Sequence, residues 1–433
     1  DTFEVYTPDM LEYCKQDVNI THQLLNEMKK EGKNFSPYSI KIEHDVRVIV
    51  NKQERNGFYL DMKKTMNLLN LLQDEATELV TWSVKHFDPT VVELVTKTKY
   101  IPFNIGSRQQ IADRLSKIGW KPKQHTDKGN IIINEAVLDT IDMPEARKFS
   151  RYFLLQKRIA QIKSWIKACD DKDGRVHGRV MTLKTITGRM SHNSPNMAQI
   201  PAVRSPYGKE CRDCWTVADT STHSIVGTDA SGLELRCLAH YMNDTTFTDI
   251  LLTGDIHTHN MKMAGLTDRD QAKTFIYAFM YGAGAAKIGK IVGAGAKEGQ
   301  RLIDNFLSSM TALKRVRDGV TKASAKGKIK GIDGRLLYIR SPHSALNTLL
   351  QGAGAVVCKV WLINIMIRVR TLGVDAKLVA SIHDEYQFEV LNTDVKKFGQ
   401  ITKDAMKDTE KELHMKCPLD SEWKVGKTWS ETH

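Results

Sequence analysis

Apolar positions recur every three to four residues through much of the first third of the chain. PDMLEYCKQDVNITHQLLNEMKK (8–30), TMNLLNLLQDEATELVTWSVKHF (65–87) and EARKFSRYFLLQKRIAQIKSWIKA (145–168) all carry this period. It predicts long amphipathic helices whose outer faces bear lysine and arginine. ERNGFYLDMKK (54–64) breaks the pattern at a turn centred on Asn56 and Gly57. After Asp170 the texture changes, and DGRVHGRVMTLKT predicts short strands and turns. Two apolar runs then suit buried strands. The first, in HSIVGTDASGLELRCLAHYM (223–242), ends at Asp229 and turns at DASG into a helix. The second, in KLVASIHDEYQFEV (377–390), passes into alternating Tyr386, Phe388 and Val390 and predicts a hairpin with His383, Asp384 and Glu385 at its tip. Between them lies a helical insert containing GAGAAKIGKIVGAGAKEG (282–299), which matches neither a P-loop nor a dinucleotide fingerprint and reads as a loop or hinge.

Within that insert, RDQAKTFIYAFMYGAG (269–284) sets Arg269, Lys273, Tyr277 and Tyr281 four residues apart, one above another on a single helical stripe. Thr267 with Asp270 reads as a capping box and Gly282 as the stop. Both cations then sit at the helix N-terminus, where the backbone is already partly positive. That arrangement is unfavourable unless an anion such as a polyphosphate is received there.

Composition narrows the partners. At 433 residues the chain exceeds one growing core, so two or three domains are expected. Lys+Arg 63 against Asp+Glu 51 gives a net charge of +12, which attracts polyanions, nucleic acid foremost. The most apolar stretch, 353–367, is interrupted by Lys359 and Asn364. No membrane partner is therefore expected, and the chain reads as soluble. Seven scattered cysteines argue for reduced thiols in a cytoplasmic compartment. Cys211 and Cys214 have metal-ligand spacing but no second pair nearby, so zinc is not expected.

Two carboxylates displayed at strand ends can hold two hard divalent cations in the arrangement used for in-line displacement at phosphorus, and magnesium suits such a site. With Asp229 and Asp384 on the metals, Arg269 and Lys273 on a triphosphate and Tyr277 against base and sugar, the expected reaction is nucleotidyl transfer.

At this point the residues resemble family A DNA polymerases, and among them the replicative enzymes of short-tailed bacteriophages. DASGLELR, RDQAKTFIYAFMYG and HDE resemble the three polymerase motifs in order; TGRMSHNSPNMAQIP (187–201) and HSALNTLLQ (343–351) resemble two further segments. The resemblance implies an α+β right hand: a palm with an antiparallel sheet, helical fingers and a helical thumb, plus a remnant of an N-terminal exonuclease domain. The expected division is 1–35 nuclease remnant, 36–170 thumb and its base, 171–265 and 336–433 palm, and 266–335 fingers. It implies metal binding by Asp229, Asp384 and the carbonyl of Ala230, with Mg2+ as two ions and Mn2+ able to substitute. Lys273 contacts the triphosphate and donates a proton to the leaving pyrophosphate. Arg269, Tyr277, Tyr281 and His257 complete the nucleotide site, and Glu234 narrows the sugar pocket so that a ribose is refused. Arg189, Gln199, His343, Asn347, Gln351 and His383 are the implied DNA contacts.

The expected partners are primer–template DNA and deoxynucleoside triphosphates. YCKQD supplies Tyr13 and Asp17 at the spacing of a last exonuclease motif without the earlier acidic motifs, and the chain opens on Asp1 rather than Met. It therefore reads as a piece of something longer that lacks proofreading, with the nuclease removed or carried on a separate polypeptide beside other replisome proteins. Only DPTVVELVTKTKYIP (88–102) stands where the phage relatives carry a long basic thumb insertion, so thioredoxin is left out of the partners. A single-subunit RNA polymerase and a non-catalytic DNA-binding module are the competing readings.

Overall fold

The computed structural model describes residues 5–33, 35–93 and 97–432. Its organising element is a four-stranded antiparallel sheet in the order Ala376–Ile382, Glu385–Leu391, His223–Ala230, Ser421–Gly426. Alternation divides the faces. Val226, Tyr386, Phe388 and Val390 join the larger core beneath the helices Ala345–Thr371 and Val395–Glu412, whereas Ile225 and Ala380 face a second core with Phe58, Trp165, Trp215 and Trp429.

Helix Ala345–Thr371 is apolar enough to cross a membrane by length and composition, but most of its residues are buried inside the fold, as in the core helix of a globular domain. Lys359, the charge that interrupts its sequence, is 1% exposed. Its ammonium lies 2.7 Å from both carboxylate oxygens of Glu43 and burial pushes its pKa down to about 8, against the opposing pull of Glu43. Glu43 also meets Arg335 at 2.8 Å, so the buried charges are paired.

The predicted long helices form as Pro8–Gly32, Met62–His86 and Pro144–Ala168. The last two pack on one another and enclose a small aromatic core of Phe87, Phe103 and Phe149. Pro8–Gly32 buries none of its residues. Of the segment read as a nuclease remnant, residues 1–4 and 34 lie outside the described residues. The 88–102 stretch forms a short hairpin, Thr90–Glu93 with Thr98–Ile101; residues 94–96 lie outside the described residues.

Helices Ile256–Ala264, Arg269–Met280, Ala285–Ile291, Ala296–Ser309 and Thr311–Ser324 make the insert. Two expectations are corrected here. The glycine-rich run is a helix pair rather than a loop: a Cβ on Gly289 would stand 2.1 Å from the Gly295 carbonyl oxygen, and one on Gly299 1.9 Å from that of Ala285. These glycines let two short helices touch backbone to backbone. The cap of Arg269–Met280 is Asp268, whose carboxylate accepts from the N–H of Gln271 at 2.6 Å, one residue later than the Thr267 box.

Candidate active site

Strand His223–Ala230 carries Asp229 at its exposed end, directly opposite Glu385 on one neighbouring strand and Glu422 on the other. Asp384 lies in the two-residue turn of the adjacent hairpin, where His383 adopts φ +57. The turn is tied to the Asp229 strand because the Ala230 N–H donates to the Asp384 carbonyl at 3.1 Å. The two aspartates thus stand at neighbouring strand ends, as their separate sequence contexts predict. Burial pushes the Asp384 carboxyl above the usual carboxylate range, partly offset by a backbone N–H, His383 and Arg189.

Gly232, at φ +58, turns the chain from the strand into helix Leu233–Met242 and puts Glu234 in its first turn. Glu234 receives the Arg189 guanidinium at 3.0 Å and the Tyr281 hydroxyl at 2.9 and 2.8 Å. Burial and this hydrogen bond push the Tyr281 phenol up to about 12, so it stays a donor at neutral pH. Tyr277 is half-buried, its ring 6.3 Å from that of His257; burial raises its phenol pKa, with further contributions from the charges of Glu234 and Asp384. Burial, then the cations of Arg269 and Lys273, lowers the pKa of His257. The four-residue row is therefore one face of the helix, running from exposed cations to tyrosines beside the carboxylates.

The row ends where Gly282, at φ +77, passes the His343 carbonyl so closely that a Cβ would stand 2.2 Å from its oxygen. Sequence periodicity put His343, Asn347 and Gln351 on one helix. In the structure His343 lies in the 3-10 turn Pro342–Ser344, and only the other two belong to Ala345–Thr371. Proline at the turn's first position lacks an N–H and suits this tighter start. His343 is exposed and Asn347 and Gln351 half-buried, while Leu346, Leu349 and Leu350 are buried. Gln199 is exposed in the 3-10 turn Met197–Gln199.

Sequence reasoning missed Asp255. It caps helix Ile256–Ala264 through the N–H groups of His257 and Thr258, and it holds Arg269 by two bonds of 2.7 and 3.1 Å. The Arg269 guanidinium keeps its carboxyl well below the usual range. Asp before an apolar helical period was the available signal. Two other clusters lie apart. Cys211 and Cys214 are buried, and burial pushes their thiols up to about 12 and about 11, the protonated, non-ligating form. Asp170, Asp173 and His177 bring ligand atoms within 4.8 Å of one another at a different sheet from Asp229.

With the strand-end aspartates and the helix row of cations and tyrosines placed, residues 74–431 match the model of DNA polymerase family A. The chain belongs to that family. It is 32% identical to the DNA-directed DNA polymerases of Enterobacteria phage T3 and Escherichia phage T7, over 99% of this chain and 77% of each relative. It is 27% identical to DNA polymerase I of Chloroflexus aurantiacus over 80% of the chain and 40% of that protein. The polymerase domain of Pol1 from M. smegmatis, solved with DNA primer-template and dNTP, superposes with a TM-score of 0.78 at 19% identity, covering 90% of this chain and 70% of that one. In class this chain is a DNA-directed DNA polymerase.

Proposed function

We propose that the chain extends a primer 3′ end with deoxynucleotides by two-metal nucleotidyl transfer, with Asp229 and Asp384 as metal ligands. The observation that carries this reading is the Ala230–Asp384 backbone bond, which joins the two strand ends beside the Glu234–Tyr281 pair. The donor set fits a hard divalent cation: Asp384 is a half-buried carboxylate whose charge burial disfavours, and a nearby cation reverses that cost. Asp229 and Asp384, assisted by the Ala230 carbonyl, would hold the ions. Bound Mg2+ supplies charge stabilisation to the attacking and leaving oxygens at phosphorus.

The protein's own residues do the rest. Exposed Lys273 and Arg269 receive the triphosphate, and Lys273 protonates the departing pyrophosphate. His257, half-buried and held towards its neutral form, adds a phosphate contact. Tyr277 packs against base and sugar. Glu234, immobilised by Arg189 and Tyr281, walls off the space of a 2′-hydroxyl, which favours deoxynucleotides. Gln199, His343, Asn347, Gln351, His383 and the free donors of Arg189 line the duplex, where minor-groove acceptors common to all base pairs allow sequence-independent contact. Residues 36–170 act as thumb and its base, 266–335 as fingers, and 171–265 with 336–433 as palm. The activity belongs in the cytoplasm of a bacterial host, without thioredoxin. Primer extension with Mg2+ tests the reading: template-dependent products from the wild type, and none from Asp229→Asn at equal DNA binding, are expected. Equal products from both would overturn it.

A further inference from the structure

Behind the Asp229 strand the chain closes a clasp that the nucleotide chemistry does not use directly. The 3-10 turn Trp429–Thr432 lies against the sheet face opposite the larger core. Trp429 is 0% exposed, and its indole N–H donates to Glu385 Oε1 at 2.6 Å. The same oxygen accepts from the side-chain amide of Gln387 at 2.6 Å, and Gln387 in turn accepts from Thr432 Oγ1 at 2.8 Å. Arg212, itself buried, stacks 4.5 Å from the Trp429 ring with one nitrogen 3.8 Å from that oxygen. Ser430 and Thr428 anchor the turn on Asp213, the former by a short bond and the latter at 3.1 Å. The fit is close: a Cβ on Gly227 would stand 2.7 Å from the Thr432 carbonyl oxygen.

Glu385 sits between the two aspartates in the architecture: it follows Asp384 in sequence and faces Asp229 in register. A third carboxylate free to swing there would draw a cation off the pair, and a strand free to slip by one residue would reverse every side chain. We propose that Trp429 is a positioning residue for the reaction: through its N–H it holds Glu385 back and thereby fixes how Asp229 and Asp384 present their oxygens. This rests on the polymerase reading above.

The test is Trp429→Phe, which keeps an aromatic ring and deletes the donor. Losing a hydrogen bond to a buried charged group predicts a fall in kcat of about tenfold with KM for the nucleotide changed by less than about twofold. It also predicts a several-fold rise in the Mg2+ dissociation constant, measured by calorimetry on the protein bound to primer–template without turnover, and in the Mg2+ concentration giving half the maximal rate. Trp429→His, which restores an N–H, recovers part of both. An unchanged Mg2+ dependence, or a kcat loss that only follows the melting temperature, overturns the proposal. If Trp429→Phe does not fold, Thr432→Val, which keeps the buried side chain's shape while removing its bond to Gln387, loosens the brace and must raise the Mg2+ requirement in the same direction; no rise overturns the proposal. A wild type that extends no primer would instead sink the polymerase reading.

Discussion

The Tyr281 hydroxyl contacts both carboxylate oxygens of Glu234, at 2.8 and 2.9 Å, across 47 residues of sequence. One residue ends the cation–tyrosine helix and the other opens the helix after Asp229, so the bond couples that helix to the strand end carrying Asp229. Glu234→Ala is expected to reduce discrimination against ribonucleotides by about tenfold or more, because the wall and its fixed charge disappear together. Tyr281→Phe leaves the carboxylate but frees it, and an intermediate loss is expected. Single-nucleotide kinetics with both sugar types measure this; equal discrimination in all three proteins contradicts the assigned role.

Asp384 makes stability depend on pH in a particular direction. Its folded pKa is raised by burial, so between the unfolded and folded values the native state holds more protons. Stability contributed by the protonated form is therefore lost as pH rises through that window. In Mg2+-free buffer, Asp384→Asn is expected to melt above the wild type at neutral pH, and the gap is expected to close below the ordinary carboxylate range. Calorimetry across pH measures it, and a gap that is constant with pH contradicts the burial argument.

Arg269 is bound by Asp255, and under the proposed reading it must leave that partner to receive a triphosphate. Asn retains capping ability while losing the charge. Asp255→Asn is therefore expected to lower KM for the nucleotide by about two- to fivefold, the scale of an exposed ion pair, with kcat little changed. Steady-state titration at low and high salt checks the sign, and the advantage should shrink at high salt.

Gly282 meets two constraints at once, positive φ and the His343 carbonyl. Gly282→Ala is expected to cost about 1–3 kcal/mol and to weaken primer–template binding through the displaced His343 turn. Chemical denaturation together with DNA titration tests both parts; loss of neither would show the contact to be slack.

Much of this was legible in the sequence because it is local. A strand-end aspartate, a helix capped and stopped by its own residues, and a row at intervals of four all follow from neighbours along the chain. The Asp268 cap differed by one residue because two adjacent side chains, Thr267 and Asp268, are both competent caps, each for the N–H three positions on. The glycine pair at Gly289 and Gly299 was misread because glycine signals either freedom or closeness, and sequence does not separate the two. Asp255–Arg269 and Trp429–Glu385 were invisible for another reason: each joins residues from separate elements, and no periodicity encodes which partner a turn will meet.

The strands that bring the two aspartates together come from 223–230, 376–391 and 421–426. A ribosome must therefore synthesise nearly all of the chain before its catalytic centre can exist, and the long loops closed in that step make sheet assembly a late event. Until then only the small aromatic core of Phe87, Phe103 and Phe149 can close, because the rest of the Met62–His86 and Pro144–Ala168 surface waits for Trp215 and Trp429. The nascent protein would thus order a patch of its periphery well before its centre.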